Sequence, residues 1–150
     1  FMKIFIGADH RGFKLKEELK SWLISQGYKI EDKGAYQLNP DDDFPDFATA
    51  VAKYVISASE SRGILICGSG SGMAMVANKF KGVYAVVAND ENALYTNGGC
   101  GINLLAFLAD TNLEKAQEII IKQFNTKFEI KKNYQRRLQK IKNIESQNFR

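Results

Sequence analysis

The chain has 150 residues, 45% hydrophobic and 25% charged, with a formal net charge of +4, which excludes a mostly disordered or collagen-like polymer. Two cysteines exclude a disulfide scaffold, and no apolar run reaches the roughly 18 residues a membrane helix needs. The length fits about one domain, which at this size buries roughly 68–70% of its unfolded surface without a staple. Residues 1–150 are therefore expected to form a single domain, with Phe1 ahead of Met2 reading as an added residue. The first residues enter a strand-like run with no secretory pattern, so a reducing, cytoplasmic setting is expected. Charge is uneven: residues 115–150 hold ten Lys/Arg against three Asp/Glu, whereas residues 1–114 hold eleven against fourteen. Such a basic segment meets an anion, such as phosphate, nucleic acid or an acidic neighbouring subunit, or forms a solvated helix face.

In chain order, Lys3 to Ala8 reads as a short buried strand, ended by Gly7 and the polar group Asp9 to Gly12. Phe13, Leu15, Leu19, Trp22 and Leu23 recur at helical spacing and stop at Gly27. Tyr28 to Asp32 is a second strand. Residues 34–46, with both prolines and three successive aspartates, form a loop. Pro45 suits the first turn of a helix that runs through Val51 to Ile56. Gly63 to Cys67 is apolar without alternation, the pattern of a strand buried on both faces. Gly68 to Gly72 breaks it; Met73 to Phe80 follows as helix and Val83 to Ala88 as strand. A short helix over Asp90 to Thr96, a loop with Gly98, Gly99 and Gly101, a fifth strand over Asn103 to Leu108 and a helix over Leu113 to Phe124 come next. The basic stretch from Phe128 to about Ile144 is the last helix, with Leu138, Ile141 and Ile144 as its apolar stripe. This alternation predicts an α/β fold: a Rossmann-like three-layer sandwich around a five-stranded parallel sheet.

In such sheets ligands bind at the carboxyl edge of the strands. Asp9-His10, Cys67 to Gly72 and Asn89-Asp90 fall there. In Cys67-Gly68-Ser69-Gly70-Ser71-Gly72, three glycines bring bare N–H groups to a ligand, and the next helix adds its positive end. The loop lacks the Gly-Lys-Ser/Thr ending of a P-loop, the spacing of the dinucleotide fingerprint and the central serine of a nucleophile elbow. Helix-terminal N–H groups favour a thiolate, so Cys67 reads as a base or nucleophile, or else as a small buried hydrophobe. Cys100 reads as structural. His10 is the only histidine, so no multi-histidine metal site exists, and no cysteine or carboxylate cluster replaces one. Asp9-His10 pairs either to bind hydroxyls or as an ordinary turn with Asp9 as cap.

These residues together resemble the ribose-5-phosphate isomerase B and galactose-6-phosphate isomerase family. The matching pieces are ADHRGFKLK at 8–16, DKG at 32–34, FPDFA at 44–48, GILICGSGSG at 63–72 and ANKFKG at 77–82, with weaker agreement at 103–107 and 136–141. The resemblance implies an aldose–ketose isomerase without metal or organic cofactor, acting on a sugar phosphate, with ribose 5-phosphate and ribulose 5-phosphate as the first expectation. It implies a homo-oligomer, dimer or tetramer, whose basic C-terminal helix reaches a neighbouring subunit, and neither nucleic acid nor membrane as partner. By resemblance Cys67 is the base between C1 and C2. Ser69 and the N–H groups of Gly70, Ser71 and Gly72 hold the enediolate oxygen, and Gly68 and Asn78 belong to the same binding segment. Asp9 contacts the reacting oxygens, and His10 binds near the phosphate. Tyr36 or Phe44 lines the pocket, and Arg137 is a phosphate ligand.

Three positions depart from the family pattern. Gly99 stands where the family carries the histidine that helps open the sugar ring, and Asp110 and Asn133 stand where it carries phosphate-binding arginines. Two readings follow: an active isomerase whose substrate is bound differently, or a non-catalytic sugar-binding member, including one half of a hetero-oligomer.

Overall fold

The computed structural model describes residues 2–89, 101–125 and 131–149. Its strands are β1 (Lys3–Ala8), β2 (Lys29–Asp32), β3 (Ser61–Cys67), β4 (Ala85–Val87) and β5 (Leu104–Leu108). Its helices are α1 (Phe13–Ser25), α2 (Phe44–Ser57), α3 (Ser71–Ala77), α4 (Leu113–Asn125) and α5 (Lys132–Asn148). The strands form one parallel sheet in the order β2-β1-β3-β5-β4. This is the expected α/β architecture.

The alternation of side chains along each strand sorts the core into two layers. Ile4, Ile6, Ile64, Ile66, Leu105 and Phe107 pack with Leu15, Leu19 and Leu23 of α1 and with Ile119 and Ile120 of α4. Phe5, Leu65, Cys67, Leu104 and Ala106 pack with Val51, Ala52 and Val55 of α2 and Met73 and Ala77 of α3 on the opposite face. Residues buried on both sides of a central strand explain why β3 reads as an unbroken apolar run.

Several boundaries differ from the expectation. β3 begins at Ser61, because the Ser61 hydroxyl donates to the Val55 and Ala58 carbonyls at 2.6 and 2.8 Å and is buried there. α2 begins at Phe44, one residue ahead of Pro45, so the proline occupies the first turn, where its missing N–H is not needed. α3 takes in Ser71 and Gly72, which were expected in the loop, and ends at Ala77, three residues before Phe80. β4 shrinks to three residues. α5 runs past Ile144 because Glu145 is buried and anchors the helix. The helix expected over 90–96 and the loop glycines 98 and 99 lie outside the described residues, as does Cys100.

The chain leaves β1 for β2 on one side, and β3 lies on the other side of β1. That reversal opens a crevice between the ends of β1 and β3, the usual place for a ligand in an open α/β sheet.

Candidate active site

The turn after β1 is pressed onto the end of β3. The Asp9 N–H donates to the Ile66 carbonyl at 3.3 Å. A β-carbon on Gly12 would come within 2.7 Å of the Ile66 carbonyl carbon, so only glycine permits this approach. The Asp9 carboxylate is buried, and its Oδ1 accepts the N–H groups of Arg11 and Gly12 at 3.0 and 3.1 Å. Asp9 therefore braces the turn, while Gly12 at the N-cap of α1 supplies no side-chain cap.

Across the crevice, Cys67 ends β3 with 5% of its surface exposed. The chain then turns through Gly70, whose φ of 74° lies in the left-handed region. A side chain there would meet the Ala106 carbonyl oxygen at 3.0 Å as well as backbone strain. This turn aims the Gly70 N–H at Cys67 Sγ, 3.2 Å away. The Ser71 N–H approaches Ser69 Oγ at 3.4 Å. Because Gly70 donates to the sulfur and Ser71 approaches Ser69 Oγ, the N–H groups of Gly72 and Met73 in the first turn of α3 are the ones left for a ligand oxygen.

Asp9, Arg11, Phe44, Cys67, Gly68, Ser69 and Gly72 line one cavity of about 410 Å³. A β-carbon on Gly72 would lie 2.7 Å from the Phe44 ring, so the ring closes directly over the glycine. Asp9, Cys67, Gly68, Ser69 and Gly72 are thus brought together. Gly70, buried in the turn, and Ser71, exposed at the start of α3, are not among the lining residues.

The other expected residues are placed differently. His10 lies between two lining residues but is held toward the 34–43 loop: its N–H donates to Asp42 Oδ1 at 3.0 Å, and its Nδ1 lies 2.7 Å from the same oxygen. A neutral imidazole donating to this carboxylate carries its proton on Nδ1. The Asp42 side chain is 9% exposed, and its Oδ2 is buried with no partner among the described residues. Tyr36 is 73% exposed and donates its hydroxyl to the Asp32 carbonyl at 3.2 Å, so of the two aromatic candidates Phe44 lines the cavity. Asn78 lies outside the lining; its amide closes α3 onto β4 by two bonds with the backbone of Ala85, at 2.9 and 2.8 Å. Arg137 is exposed on α5, with its guanidinium 6.0 Å from the Tyr134 ring centre, and does not line the cavity. Gly99 lies outside the described residues.

Three participants were not singled out from sequence: Arg11 in the cavity wall, Asp42 behind His10, and Lys16 beneath the 34–43 loop. Arg11 stands in the quoted 8–16 motif but beside the more reactive Asp9-His10 pair. Asp42 is one of three successive aspartates, and only its distance to His10 distinguishes it. Lys16 is fully buried, donating to Asp32 Oδ2 at 2.7 Å and to the Ala35 carbonyl at 2.6 Å. Among the described residues no group of three or more His, Cys, Asp or Glu could hold a metal ion. No described helix is long and apolar enough to cross a membrane.

A thiol and a carboxylate lining one small glycine-walled cavity, at the carboxyl edge of a parallel sheet, define an enzyme of the α/β class that handles small polar molecules. The family model described as Ribose/Galactose Isomerase matches residues 4–141. The chain belongs to that family, and by membership it is an aldose–ketose isomerase. Over 94 residues it is 50% identical to the 4-deoxy-4-sulfo-D-erythrose isomerase of Clostridium sp. (strain MSTE9), a match spanning 61% of this chain and 58% of that one. It is 36% identical over 136 residues to ribose-5-phosphate isomerase B of Escherichia coli (strain K12), spanning 89% and 91% of the two chains. The crystal structure of ribose-5-phosphate isomerase B from Mycoplasma genitalium with bound ribulose-5-phosphate superposes with a TM-score of 0.90 at 32% identity, covering 98% of each chain.

Proposed function

We propose that this chain interconverts a short, open-chain aldose and its ketose, with a sulfonate of the 4-deoxy-4-sulfo-D-erythrose type at the far end and Cys67 as the base. The observation that carries the reading is Cys67, whose Sγ receives the Gly70 N–H, in the wall of a cavity that Asp9 also lines. A thiolate held by that N–H takes the C2 proton of the aldose. The C–H electron pair becomes the C1=C2 bond, and the carbonyl oxygen takes the charge as an enediolate. Ser69 and the free N–H groups at the start of α3 donate to that oxygen as charge develops, where preorganised donors help most. Asp9 carries the hydroxyl proton from O2 to O1, and the thiol returns its proton to C1. Atoms and charge balance without a co-reactant.

Two features support the open-chain sulfonate. A sugar with carbon-bound sulfur at C4 has no C4 hydroxyl with which to close a furanose, so it needs no ring-opening group, and Gly99 stands where the resemblance places that histidine. A sulfonate also carries one negative charge where a phosphate monoester carries up to about two near neutral pH, in keeping with Asp110 and Asn133 at the expected arginine positions. The relative of that name is half identical over the matched stretch. A second reading, ribose 5-phosphate with ribulose 5-phosphate, is favoured by the longer match to the Escherichia coli enzyme. As to assembly, Ile141 and Ile144 are exposed on α5, Ile144 to 60%. They are the part of the apolar stripe that a second copy would cover in a dimer or tetramer.

The test is proton exchange at C2 in deuterated water with both substrates. The expected result is faster exchange on the sulfonated tetrose, with Cys67→Ala lowering it by about 10²–10⁴-fold, roughly 3–5 kcal/mol. Faster exchange on ribose 5-phosphate would overturn the substrate and leave the cysteine standing. An alanine variant exchanging at the parent rate would move the base elsewhere. No exchange with any sugar would favour a binding-only member.

A further inference from the structure

We propose that Arg11 is the residue that selects substrates with a terminal oxyanion, by gripping that group at the lip of the cavity. The proposal rests on the isomerase reading above but not on which sugar is preferred.

Three observations carry it. Among the described residues, Arg11 is the only cationic side chain in the cavity wall and Asp9 the only carboxylate. Its guanidinium lies against Gly68, so closely that a β-carbon there would fall 2.6 Å from Arg11 Cζ. The backbone beside the candidate base is thus hollowed to seat a flat cation. Among the described residues the guanidinium has neither an ion pair nor a side-chain hydrogen bond, although Asp9 is two positions away. Asp9 Oδ1 is instead committed to the N–H groups of Arg11 and Gly12.

A guanidinium has five donors in a rigid fork and no acceptor. Exposed at the cavity lip with no protein acceptor among the described residues, it can exchange water for the oxygens of a ligand. A tetrahedral oxyanion offers two oxygens at the right spacing for two parallel N–H bonds, which a hydroxyl cannot do. With Cys67 and Asp9 engaged at the reacting carbons, Arg11 on the same wall is left for the other end of a short chain. This restores a cation to a site whose expected arginine positions hold Asp110 and Asn133.

The test compares charged and neutral sugars of the same carbon chain: 4-deoxy-4-sulfo-D-erythrose against D-erythrose, and ribose 5-phosphate against ribose. Each sugar is its own reference, so differences in ring closure cancel. Arg11→Gln is expected to raise KM for the anionic sugar by about 10- to 100-fold, with kcat little changed and the neutral sugar unaffected. Arg11→Lys should recover part of the loss, because it keeps the charge without the fork. The sulfonate and phosphate arms show which oxyanion the fork prefers. Gly68→Ala, whose new methyl displaces the guanidinium, should lower the anionic-to-neutral preference in the parent and leave it unchanged in Arg11→Gln. Equal losses on charged and neutral sugars, or no loss on either, would overturn the proposal. Because the comparison runs on whichever sugar pair the enzyme turns over, a wrong substrate assignment does not remove it. Arg11 is exposed, so the variants should unfold at the parent temperature. A large drop in that temperature with parallel loss on both sugars would assign Arg11 a structural role and overturn selection.

Discussion

The two charged regions of this molecule are built on opposite plans. At the β2 edge, cations and carboxylates are paired: Lys16 and Lys20 share Asp32 at 2.7 and 2.8 Å, Lys20 also meets Glu17 at 2.9 Å, and Lys3 and Lys33 both reach Glu31. On α5, Arg136, Lys140 and Lys142 are exposed and have no carboxylate partner among the described residues. The helix is instead tied down by a buried acid, Glu145, which accepts the Gly82 N–H at 3.2 Å and the Tyr84 hydroxyl at 3.1 Å. The difference separates two uses of charge. Paired groups near β2 fix the loop that carries Asp42 and Phe44 to the site, since Lys16 also holds the Ala35 carbonyl. Arg136, Lys140 and Lys142 of α5 hold no carboxylate among the described residues and face outward, where an anionic partner can reach them.

Burial pushes the Asp32 carboxyl up, but the hydrogen bonds from Lys16 and Lys20 and the Gly34 N–H outweigh it and hold the group below its ordinary value. Lys16→Met attacks this arrangement directly. The Ala35 carbonyl loses its donor, and the Asp32 carboxylate keeps Lys20 as its one cation beside the Gly34 N–H. The expected cost is about 3 kcal/mol, the low end for breaking a buried pair, read by urea unfolding. A cost under about 1 kcal/mol would place the network with ordinary surface pairs and erase the contrast.

Glu145→Ala probes the other region. The Gly82 N–H and Tyr84 hydroxyl lose their acceptor, at a cost of about 1–3 kcal/mol. Hydrogen exchange should quicken across α5 while α1 stays protected. Uniform quickening would mean that α5 is integral to the core.

The same contact responds to alkali. Burial first, and then the Glu145 carboxylate, push the Tyr84 hydroxyl up to about 12. A group whose value is raised in the folded state stabilises below its unfolded value, near 10, and loses that contribution as pH rises toward 12. Tyr84 should therefore ionise late by ultraviolet titration, with α5 loosening over that interval. Tyr84→Phe should remove the pH dependence of α5 there. A Tyr84 that titrates near 10 would break the link.

The smallest effect is expected at Asp42→Ala, about 1 kcal/mol, since the half-buried His10 can turn to water. A change in exchange near residues 34–43, with none in α5, would keep the two regions independent.

The sheet was legible because β1, β3 and β5 carry consecutive apolar residues and the connections carry helical spacing or turn residues, even though the edge strand β2 reads Lys-Ile-Glu-Asp. Cys67 and its glycines were legible because such residues at a strand end leave few alternatives. What the one-dimensional pattern could not carry depends on contacts between distant segments. Ser61 reads as loop until the Val55 and Ala58 carbonyls are placed above it. The beginning of α3 at Ser71 follows from the left-handed turn at Gly70, whereas a run of glycine and serine reads as loop throughout. Lys16 looks like a surface residue in a basic stretch and is in fact fully buried, because its partners come from β2 and the loop beyond it.

The strand order has a consequence for how the protein acquires its structure over time. Lys3 pairs with Ser61, and Gly63 with Leu104, so the two central ladders join strands far apart in the chain, and hairpins make no part of this sheet. Loops that long must close before those pairings stabilise anything, which slows folding relative to proteins rich in local contacts. The crevice between Asp9 and Cys67 has no local precursor: no segment ending before β3 contains both of its walls. On a ribosome the nascent chain would acquire the turn after β1 early and hold it without its counterpart through the synthesis of β2 and α2. Competence to bind a sugar would arrive in one late step, when β3 slots in beside β1.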